Sequence, residues 1–336
     1  MSMSDVISFL SSPAHQRIAL TGHQRPDADS LGASVGLSLI LRGLGRVANP
    51  VNLLPPPPGL DFILDSCPIH QASPEEDWTK DYDALLVLDC GEWERLDPVN
   101  RQAKNRLPVA NLDHHASSLT GIGEVAWIEP QASSIGEMAV QLAAAAGWAL
   151  SRDAAQALWT SIVADTGRFS YDNTRPATLK AAQACLEAGA DPVLTAHYLF
   201  QSTPRYARDL QARLLTRAEF HHQGRLALSW LTPADFQAAG CGSEGTQNLI
   251  NTLQDTAGVE VSLLVSEPPE KPPGRGNSVK ASLRTLEPHD ALRVVKRFGG
   301  GGHHRAAGCT LSQPVEAAVR LLQKAVSEEF FPPPHQ

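Results

Sequence analysis

The sequence is poor in cysteine and has no long apolar run, and both absences narrow the class of protein. Its 336 residues include five cysteines, none of them in a C-x-x-C pair. An odd, scattered set argues against a disulfide framework or a zinc knuckle and favours reduced thiols. No segment approaches the roughly 18 apolar residues of a membrane span, and the first residues lack the basic start of a signal peptide. We therefore predict a cytoplasmic protein with no membrane partner.

Basic residues are also in deficit. The chain has 28 Lys and Arg against 36 Asp and Glu, for a net charge of -8. A protein that binds long nucleic acid through its phosphates usually carries a basic stripe, so we expect no long nucleic-acid partner. A small anionic substrate held at one local site is compatible with this charge. The 42% hydrophobic content and the length of the chain support two domains with real cores.

Apolar runs alternate with helical patterns in the first half of the chain. Three runs, each ending in polar residues, predict buried strands at 17–22, 82–91 and 107–115. Helices are predicted between and after them, at 30–42, 98–105, 134–148 and 152–167. This alternation is typical of an α/β fold with a parallel sheet and helices on both faces. In such sheets, ligands bind beyond the carboxyl ends of the strands.

The pattern changes in the second half of the chain. Helical segments follow one another from about 178 to 220, and strands of a smaller, separate sheet are predicted at 225–231, 258–266 and 277–285. We place the boundary near residue 200. This gives a first α/β domain at 1–200 and a smaller α/β domain at 201–336, and we expect the active site in the cleft between them.

Acidic and imidazole side chains occupy the end of every predicted strand in the first domain. They form three groups, and a further carboxylate ends the helix at 152–167: His23, Asp27 and Asp29; Asp89; Asp113, His114 and His115; and Asp165. A parallel sheet would bring the first three groups into one place. Burying carboxylates together is strongly unfavourable unless a cation lies among them. The pattern therefore predicts a site for divalent metal ions, with Asp89 well placed to bridge two of them.

Each of these residues also has a structural interpretation on its own. Asp29 or Ser30 could cap the helix that follows, and Asp113 could cap a turn. Asp165 closes an apolar helix, where the helix dipole disfavours an anion. A nearby cation would remove that penalty, and bonds from the amides of the Thr166-Gly167 turn are the alternative. The prediction of a metal site therefore depends on the conjunction of these residues, not on any one of them.

Four segments resemble the motifs of the DHH phosphoesterase superfamily, in order and at plausible spacing: "GHQRPDADSLGAS", "VLDCG", "NLDHHASS" and "ADTGRF". Three later segments resemble the DHHA1 domain with its GGGH motif: "NLINTLQDTAGVEVSLLVSE", "VKASLRT" and "RFGGGGHHRAAGC". Within the superfamily, the two-domain layout is similar to the nano-RNase group. These are bacterial oligoribonucleases that also dephosphorylate 3′-phosphoadenosine 5′-phosphate (pAp).

The resemblance implies a site with two ions, and it assigns roles to the residues that match the family's motifs. One ion would be held by His23, Asp27 and Asp89, and the other by Asp29, Asp89, His114 and Asp165. Asp113 would orient a histidine, as ligating imidazoles commonly require, and His115 would face the substrate phosphate. Mixed imidazole and carboxylate ligation suits Mn²⁺, with Mg²⁺ or Co²⁺ possible.

The second domain would bind the substrate. Gly300 and Gly301 lie in a glycine run that lets backbone amides approach an anion closely. Arg284 can bind a phosphate with two parallel hydrogen bonds, and His303 follows the glycines. We expect Arg284 and His303 to hold one phosphate, or the neighbouring nucleotide, while the metal ions act on another.

The expected reaction is phosphoester hydrolysis. Short oligoribonucleotides would yield nucleoside monophosphates, and pAp would yield AMP and phosphate. Two alternatives stay open: a phosphodiesterase for linear or cyclic dinucleotides such as pApA or c-di-AMP, and an RNA-binding or regulatory DHHA1 protein without catalysis. The resemblance also implies a homodimer.

Overall fold

The computed structural model describes residues 2–52, 54–57, 59–96, 98, 100–115, 121–246, 248–269 and 278–332. The chain divides into two compact units, Met1–Ser202 and Thr203–Gln336. Among the described residues, none of the helices has the length and apolar character that crossing a bilayer requires.

The first unit alternates strands and helices along most of its length. Its strands are β1 (Arg17–Thr21), β2 (Val47–Asn52), β3 (His70–Gln71), β4 (Ala84–Leu88), β5 (Val109–Asp113) and β6 (Val125–Ile128). Its helices are α1 (Met3–Ser11), α2 (Ala28–Gly43), α3 (Asp61–Leu64), α4 (Ile135–Ala146), α5 (Arg152–Asp165), α6 (Pro176–Glu187) and α7 (Pro192–Ala196). In the segment predicted as a helix at 98–105, the described residues form the 3₁₀ turn Asn100–Ala103 and no α-helix.

The six strands form one parallel sheet in the order β3-β2-β1-β4-β5-β6. The predicted parallel α/β sheet is thus confirmed, and all three predicted strands belong to it. One face packs against the longer helices in a core that includes Leu37, Leu86 and Leu158. The opposite face packs against 3₁₀ turns and loops through side chains such as Trp78 and Leu96.

Two glycines let α2 approach α5 closely. A Cβ atom on Gly32 would lie 2.6 Å from the Ala157 carbonyl oxygen, and one on Gly36 would lie 2.5 Å from the Leu158 side chain. Both distances are too short for a real side chain. This approach brings the first turn of α2, which carries Asp29, against the last turns of α5.

The second unit has a mixed sheet in the order β11-β12-β10-β9-β8-β7. Its strands are β7 (Glu219–His221), β8 (Leu226–Leu231), β9 (Val261–Ser266), β10 (Val279–Thr285), β11 (Gly301–His303) and β12 (Ala306–Leu311). Its helices are α8 (Arg205–Thr216), α9 (Pro233–Ala239), α10 (Leu249–Gln254), α11 (Ala291–Val295) and α12 (Val315–Phe330). Neighbouring strands are antiparallel except for the parallel pair β8 and β9.

Asp235 links the start of helix α9 to the end of helix α8 through a buried carboxylate. It accepts hydrogen bonds from the Thr232 amide at 2.8 Å and from two nitrogens of Arg217 at 2.6 and 3.1 Å. Burial would raise the pKa of Asp235, but the bonds from Arg217 and Thr232 outweigh burial and lower it to about 2. The carboxylate therefore stabilises the fold above pH about 4, and this contribution is lost as the pH falls towards 2.

We expect Asp235→Ala to destabilise the second unit by about 2–4 kcal/mol, because it leaves the Arg217 guanidinium without its carboxylate. Urea unfolding followed by circular dichroism measures the change. Glu328→Ala is the matched control, since its carboxylate is about half exposed beside Arg297 and should contribute less than about 1 kcal/mol. Equal losses of unfolding free energy in the two variants would contradict this stabilising role of Asp235.

Candidate metal centre

Side chains from five elements of the first unit meet at the carboxyl edge of its sheet. His23 lies just beyond β1, Asp89 directly follows β4, and Asp113 is the last residue of β5. Helix α2 contributes its first turn and helix α5 contributes its last residue. The ends of regular elements therefore position every metal-ligating residue predicted from the sequence.

Asp89 lies at the centre of this cluster. It is buried and has a left-handed backbone with a φ of 57°, a conformation that is uncommon for residues other than glycine. Its amide donates to the Leu112 carbonyl at 3.0 Å. Oδ2 lies 3.3 Å from His23 Nε2, and Oδ1 lies 3.4 Å from His114 Nε2. Within the described structure, buried Oδ1 accepts no hydrogen bond, so the carboxylate has unused capacity for a cation.

A first group consists of His23, Asp27 and Asp89, with one potential ligand atom from each within 4.8 Å of the others. Asp27 is the N-cap of α2, a role the sequence left open for Asp29 or Ser30. Its Oδ1 accepts from the amides of Asp29 at 3.1 Å and Ser30 at 3.0 Å. Its Oδ2 lies 3.5 Å from His23 Nε2. One carboxylate thus serves the helix and the cluster at the same time.

A second group consists of Asp29, His114 and Asp165, again within 4.8 Å. His114 Nε2 lies 3.6 Å from Asp29 Oδ2 and 3.7 Å from Asp165 Oδ2. His114 Nδ1 lies 3.3 Å from the Ala132 carbonyl oxygen, which places the proton of a neutral ring on Nδ1. The lone pair of Nε2 then faces carboxylates, an arrangement that needs either a proton or a metal ion.

Three hydrogen-bond donors to Asp29 were not predicted from the sequence. The amides of Ile135 and Gly136 donate to its carboxylate at 3.1 and 3.4 Å, and Ser161 Oγ donates to Oδ1. A Cβ atom on Gly136 would lie 2.8 Å from the Leu158 carbonyl oxygen, so glycine is needed for this approach. The Ser-x-Gly segment at the start of α4 is the sequence feature that could have indicated this contact. Its partner, Asp29 of α2, is far away along the chain.

Asp165 faces the cluster and not its own turn. The amides of Thr166 and Gly167 donate to the carbonyls of Ile162 and Ala164, so the alternative weighed for Asp165 is not observed. Burial, with Asp89 and Asp27 adding to it against the influence of His114, raises the pKa of Asp165 to about 6. The helix end therefore carries a carboxylate whose charge is disfavoured by its surroundings.

Burial and neighbouring charges also shift the pKa values of four other residues in the cluster. Burial, together with Asp89 and Asp165, raises the pKa of Asp29 well above its usual range. Burial opposes protonation of the histidines, but the carboxylates outweigh it and raise the pKa of His23 to about 9 and of His114 to about 10. Burial would raise the pKa of Asp89, yet His114 and His23 lower it. Positive charge is thus strongly favoured at this edge of the sheet.

Asp113 and His115 form a pair beside the cluster. Asp113 Oδ1 lies 2.7 Å from His115 Nδ1 and accepts from the His115 amide at 3.1 Å. His115 Nδ1 also lies 3.5 Å from Asp89 Oδ1. Asp113 thus holds the ring of His115, and both residues are at the same sheet edge as the candidate ligands.

The predicted substrate-binding residues lie together in the second unit. Arg284 of β10 and His303 of β11 are both in register with Ala306 of β12; only the backbone of His303 is described. A Cβ atom on Gly300 would lie 2.4 Å from the Gly308 carbonyl oxygen, whereas one on Gly301 would meet nothing within 4 Å. Of these two glycines, Gly300 is therefore required by packing, and Gly301 has open space beside it.

Comparison with known proteins agrees with this geometry. The model of the DHH family N-terminal domain matches residues 17–165, and the DHHA1 domain model matches residues 235–330. The chain thus contains a DHH domain followed by a DHHA1 domain. The two matched segments contain all the candidate ligands and all the predicted substrate-binding residues, respectively.

Several characterised relatives of this DHH/DHHA1 chain span nearly its whole length. The bifunctional oligoribonuclease and PAP phosphatase NrnA of Thermus thermophilus is 28% identical over 318 residues, which is 93% of this chain and 90% of the relative. The NrnA of Bacillus subtilis is 24% identical, over 88% of this chain and 90% of the relative. The cyclic-di-AMP phosphodiesterase PdeA of Listeria monocytogenes is 25% identical over 91% of this chain, but only 47% of that protein is matched.

The same fold occurs in solved structures. An exopolyphosphatase-related protein from Bacteroides fragilis superposes with a TM-score of 0.87 and 20% identity, covering 97% of this chain and 95% of that one. A RecJ exonuclease bound to manganese superposes with a TM-score of 0.54 and 15% identity, covering 100% of this chain and 95% of that one. These likenesses establish the architecture of the DHH/DHHA1 chain.

The histidine protonation described above predicts how stability depends on pH in protein treated with EDTA. Because the pKa of folded His23, about 9, exceeds its usual 6.5, bound protons stabilise the fold below pH 6.5, and this contribution is lost as the pH rises through 9. Between these pH values, we expect His23→Gln to lose about 1–3 kcal/mol less free energy of unfolding than the wild type. Thermal melts between pH 6 and 10 measure it, and the exposed His197→Gln serves as control. Identical pH slopes in wild type and His23→Gln would refute the prediction.

Proposed function

We propose that this chain is a divalent-metal-dependent phosphoesterase that hydrolyses short oligoribonucleotides to nucleoside monophosphates and pAp to AMP and phosphate. The observation that carries the proposal is that His23 of the first group and His114 of the second group lie 3.3 and 3.4 Å from the buried Asp89 carboxylate, in a DHH domain followed by a DHHA1 domain. Full-length relatives named for both activities support the choice of substrates.

The donor set fits two divalent ions. His23, Asp27 and Asp89 would hold one, and Asp29, Asp89, His114 and Asp165 would hold the other. Asp89 Oδ1 accepts no hydrogen bond within the described structure, and His114 Nε2 faces carboxylates; both atoms suit a cation. Mixed imidazole and carboxylate oxygen donors favour Mn²⁺, with Mg²⁺ or Co²⁺ as alternatives. Such ions supply Lewis-acid activation of water and neutralise charge on phosphoryl oxygens.

His115 is the proposed catalytic residue of the chain itself. Asp113 Oδ1 accepts a hydrogen bond from Nδ1 of this ring, which leaves Nε2 to face the substrate. When protonated, His115 donates from Nε2 to a phosphoryl or leaving oxygen. Asp113 acts through His115 and is a positioning residue in this proposal, since its carboxylate is fully buried.

The second unit would bind a part of the substrate that does not react. Arg284 offers a planar set of donors for phosphate, and the register aligns it with His303. The backbone at Gly301 is open to an approaching anion. We propose that these residues bind a second phosphate or the neighbouring nucleotide, which would favour short substrates and fits the net charge of -8.

The second candidate function is that of a phosphodiesterase for linear or cyclic dinucleotides. The match to PdeA favours it, and the candidate metal centre would act on the scissile phosphate of either substrate class. The identity of the substrate therefore has to be tested by turnover. A protein without catalysis, which binds RNA through its DHHA1 domain, is a third outcome.

We expect Mn²⁺-dependent release of nucleoside monophosphates from oligoribonucleotides, fastest for the shortest, and of phosphate from pAp. Asp89→Asn should lower both rates by at least about 100-fold, because Asp89 would be a ligand of both ions. Chromatography of reactions with pAp, pApA, c-di-AMP and a length series measures this. Asp77→Asn, an exposed carboxylate beside Arg106, is the matched control. Cleavage of c-di-AMP alone would favour the second candidate, and equal rates in wild type and Asp89→Asn would defeat both.

Metal binding can be tested without turnover. We expect Mn²⁺ to raise the melting temperature of the wild type and to have little effect on Asp165→Asn, because stabilisation by a ligand follows its affinity for the folded state. In EDTA at pH 8, the variant should be at least as stable as the wild type, since one repelling carboxylate is gone. Differential scanning fluorimetry gives both values. A full Mn²⁺ response in Asp165→Asn would remove this residue from the ligand set.

A further inference from the structure

The loop after Asp165 carries an exposed aromatic side chain that the proposed mechanism does not use. Tyr171 is 55% exposed, the largest exposed fraction among the aromatic residues identified at the described surface. Tyr198, the other exposed aromatic described in the first unit, is stacked on Phe62 with ring centroids 4.8 Å apart. Tyr171 therefore offers an exposed apolar surface in the loop that follows a candidate metal ligand.

The loop is fixed to Asp165 at both of its ends. Thr166 follows Asp165 directly, and its carbonyl oxygen accepts from the amides of Ser170 and Tyr171, each at 3.0 Å. At the far end, Asn173 Nδ2 donates to the carbonyls of Asp165 and Ser133, each at 3.1 Å. These hydrogen bonds fix the backbone of Tyr171 relative to the backbone of Asp165.

The backbone of this loop is strained. Gly167, Arg168 and Phe169 have φ angles of 54°, 62° and 62°, and the left-handed region costs on the order of 1–3 kcal/mol for a bulky residue. The Phe169 amide donates to Thr166 Oγ1 at 3.1 Å, which helps to hold the turn. Strain of this kind persists where the surrounding structure imposes it, and it is concentrated at functional sites.

Gly167 forms the support for the tyrosine ring. A Cβ atom at this position would lie 2.4–2.6 Å from three atoms of the Tyr171 ring. The ring therefore rests against the glycine backbone in space that a side chain would fill. Part of the ring is thus supported by the loop, while about half of the residue stays exposed to solvent.

We propose that Tyr171 is a stacking platform for the base of the nucleotide whose phosphate is hydrolysed. This inference rests on the proposed function and deepens it. A supported aromatic ring binds any base through its π face, without reading hydrogen bonds, so Tyr171 would contribute affinity without strong base preference. Such a platform suits an enzyme that degrades oligoribonucleotides of mixed sequence.

Kinetics with matched substrates test the platform. We expect Tyr171→Ala to raise KM for pAp by about 5- to 100-fold with little change in kcat. KM for ribose 3′,5′-bisphosphate, which lacks the base, should not change. Tyr171→Phe should keep the wild-type values, whereas Tyr171→Leu, which covers Gly167 without a π face, should behave like Tyr171→Ala. Phe220→Ala, an exposed aromatic of the second unit, is the control. Equal losses on both substrates, or no change with pAp, would overturn the proposal.

A binding measurement separates this inference from the proposed function. A dinucleotide that contains 2-aminopurine and a non-hydrolysable methylene phosphonate is titrated with protein. Stacking quenches its fluorescence, so quenching is expected with the wild type and Tyr171→Phe and should be lost with Tyr171→Ala and Tyr171→Leu. If the wild type hydrolyses none of the substrates but shows this pattern, the proposed function fails and the platform stands. Equal quenching by all four proteins would show that the ring does not contact the base.

Discussion

Repulsion among the buried and half-buried carboxylates around Asp89 is the constraint on which the candidate metal centre depends. Asp29, Asp89 and Asp165 come from a helix start, a strand end and a helix end, and His23 and His114 lie among them. Such a cluster is tolerated only in the presence of positive charge. Protonated imidazole and a divalent ion can both supply that charge, so protons and metal ions compete for the same place.

The backbone supplies most of the positioning at this centre. The left-handed conformation of Asp89, the amides at the start of α4 and the close approach of α2 to α5 each fix a side chain without using another charged residue. Among the described residues, the ion-pair partners of the candidate metal-ligating carboxylates are histidines. Within the described structure, a metal ion would therefore compete for this negative charge with protons and not with a lysine or arginine side chain.

The sequence predicted the parallel sheet and the residues that meet at its edge because apolar strands ending in Asp and His are a local signal. It did not predict β2, in which Pro50 interrupts the apolar pattern although it is in register with Leu20. Short strands such as β3 and β11 have too few residues for a visible pattern. The support of Asp29 by Ser161 depends on helix packing across 132 residues of chain, and no local pattern reports such a contact.

The double use of Asp27 affects how the centre would exchange its ions. Since Oδ1 caps α2 and Oδ2 faces His23, the first turn of α2 is ordered whether or not Oδ2 binds anything. An incoming ion would meet an assembled cage and would pay little conformational entropy on entry. Loading would then be governed by the dehydration of each ion and by its concentration. The metal ion bound in a cell would therefore depend on which ions are available there, and less on any folding step that accompanies binding.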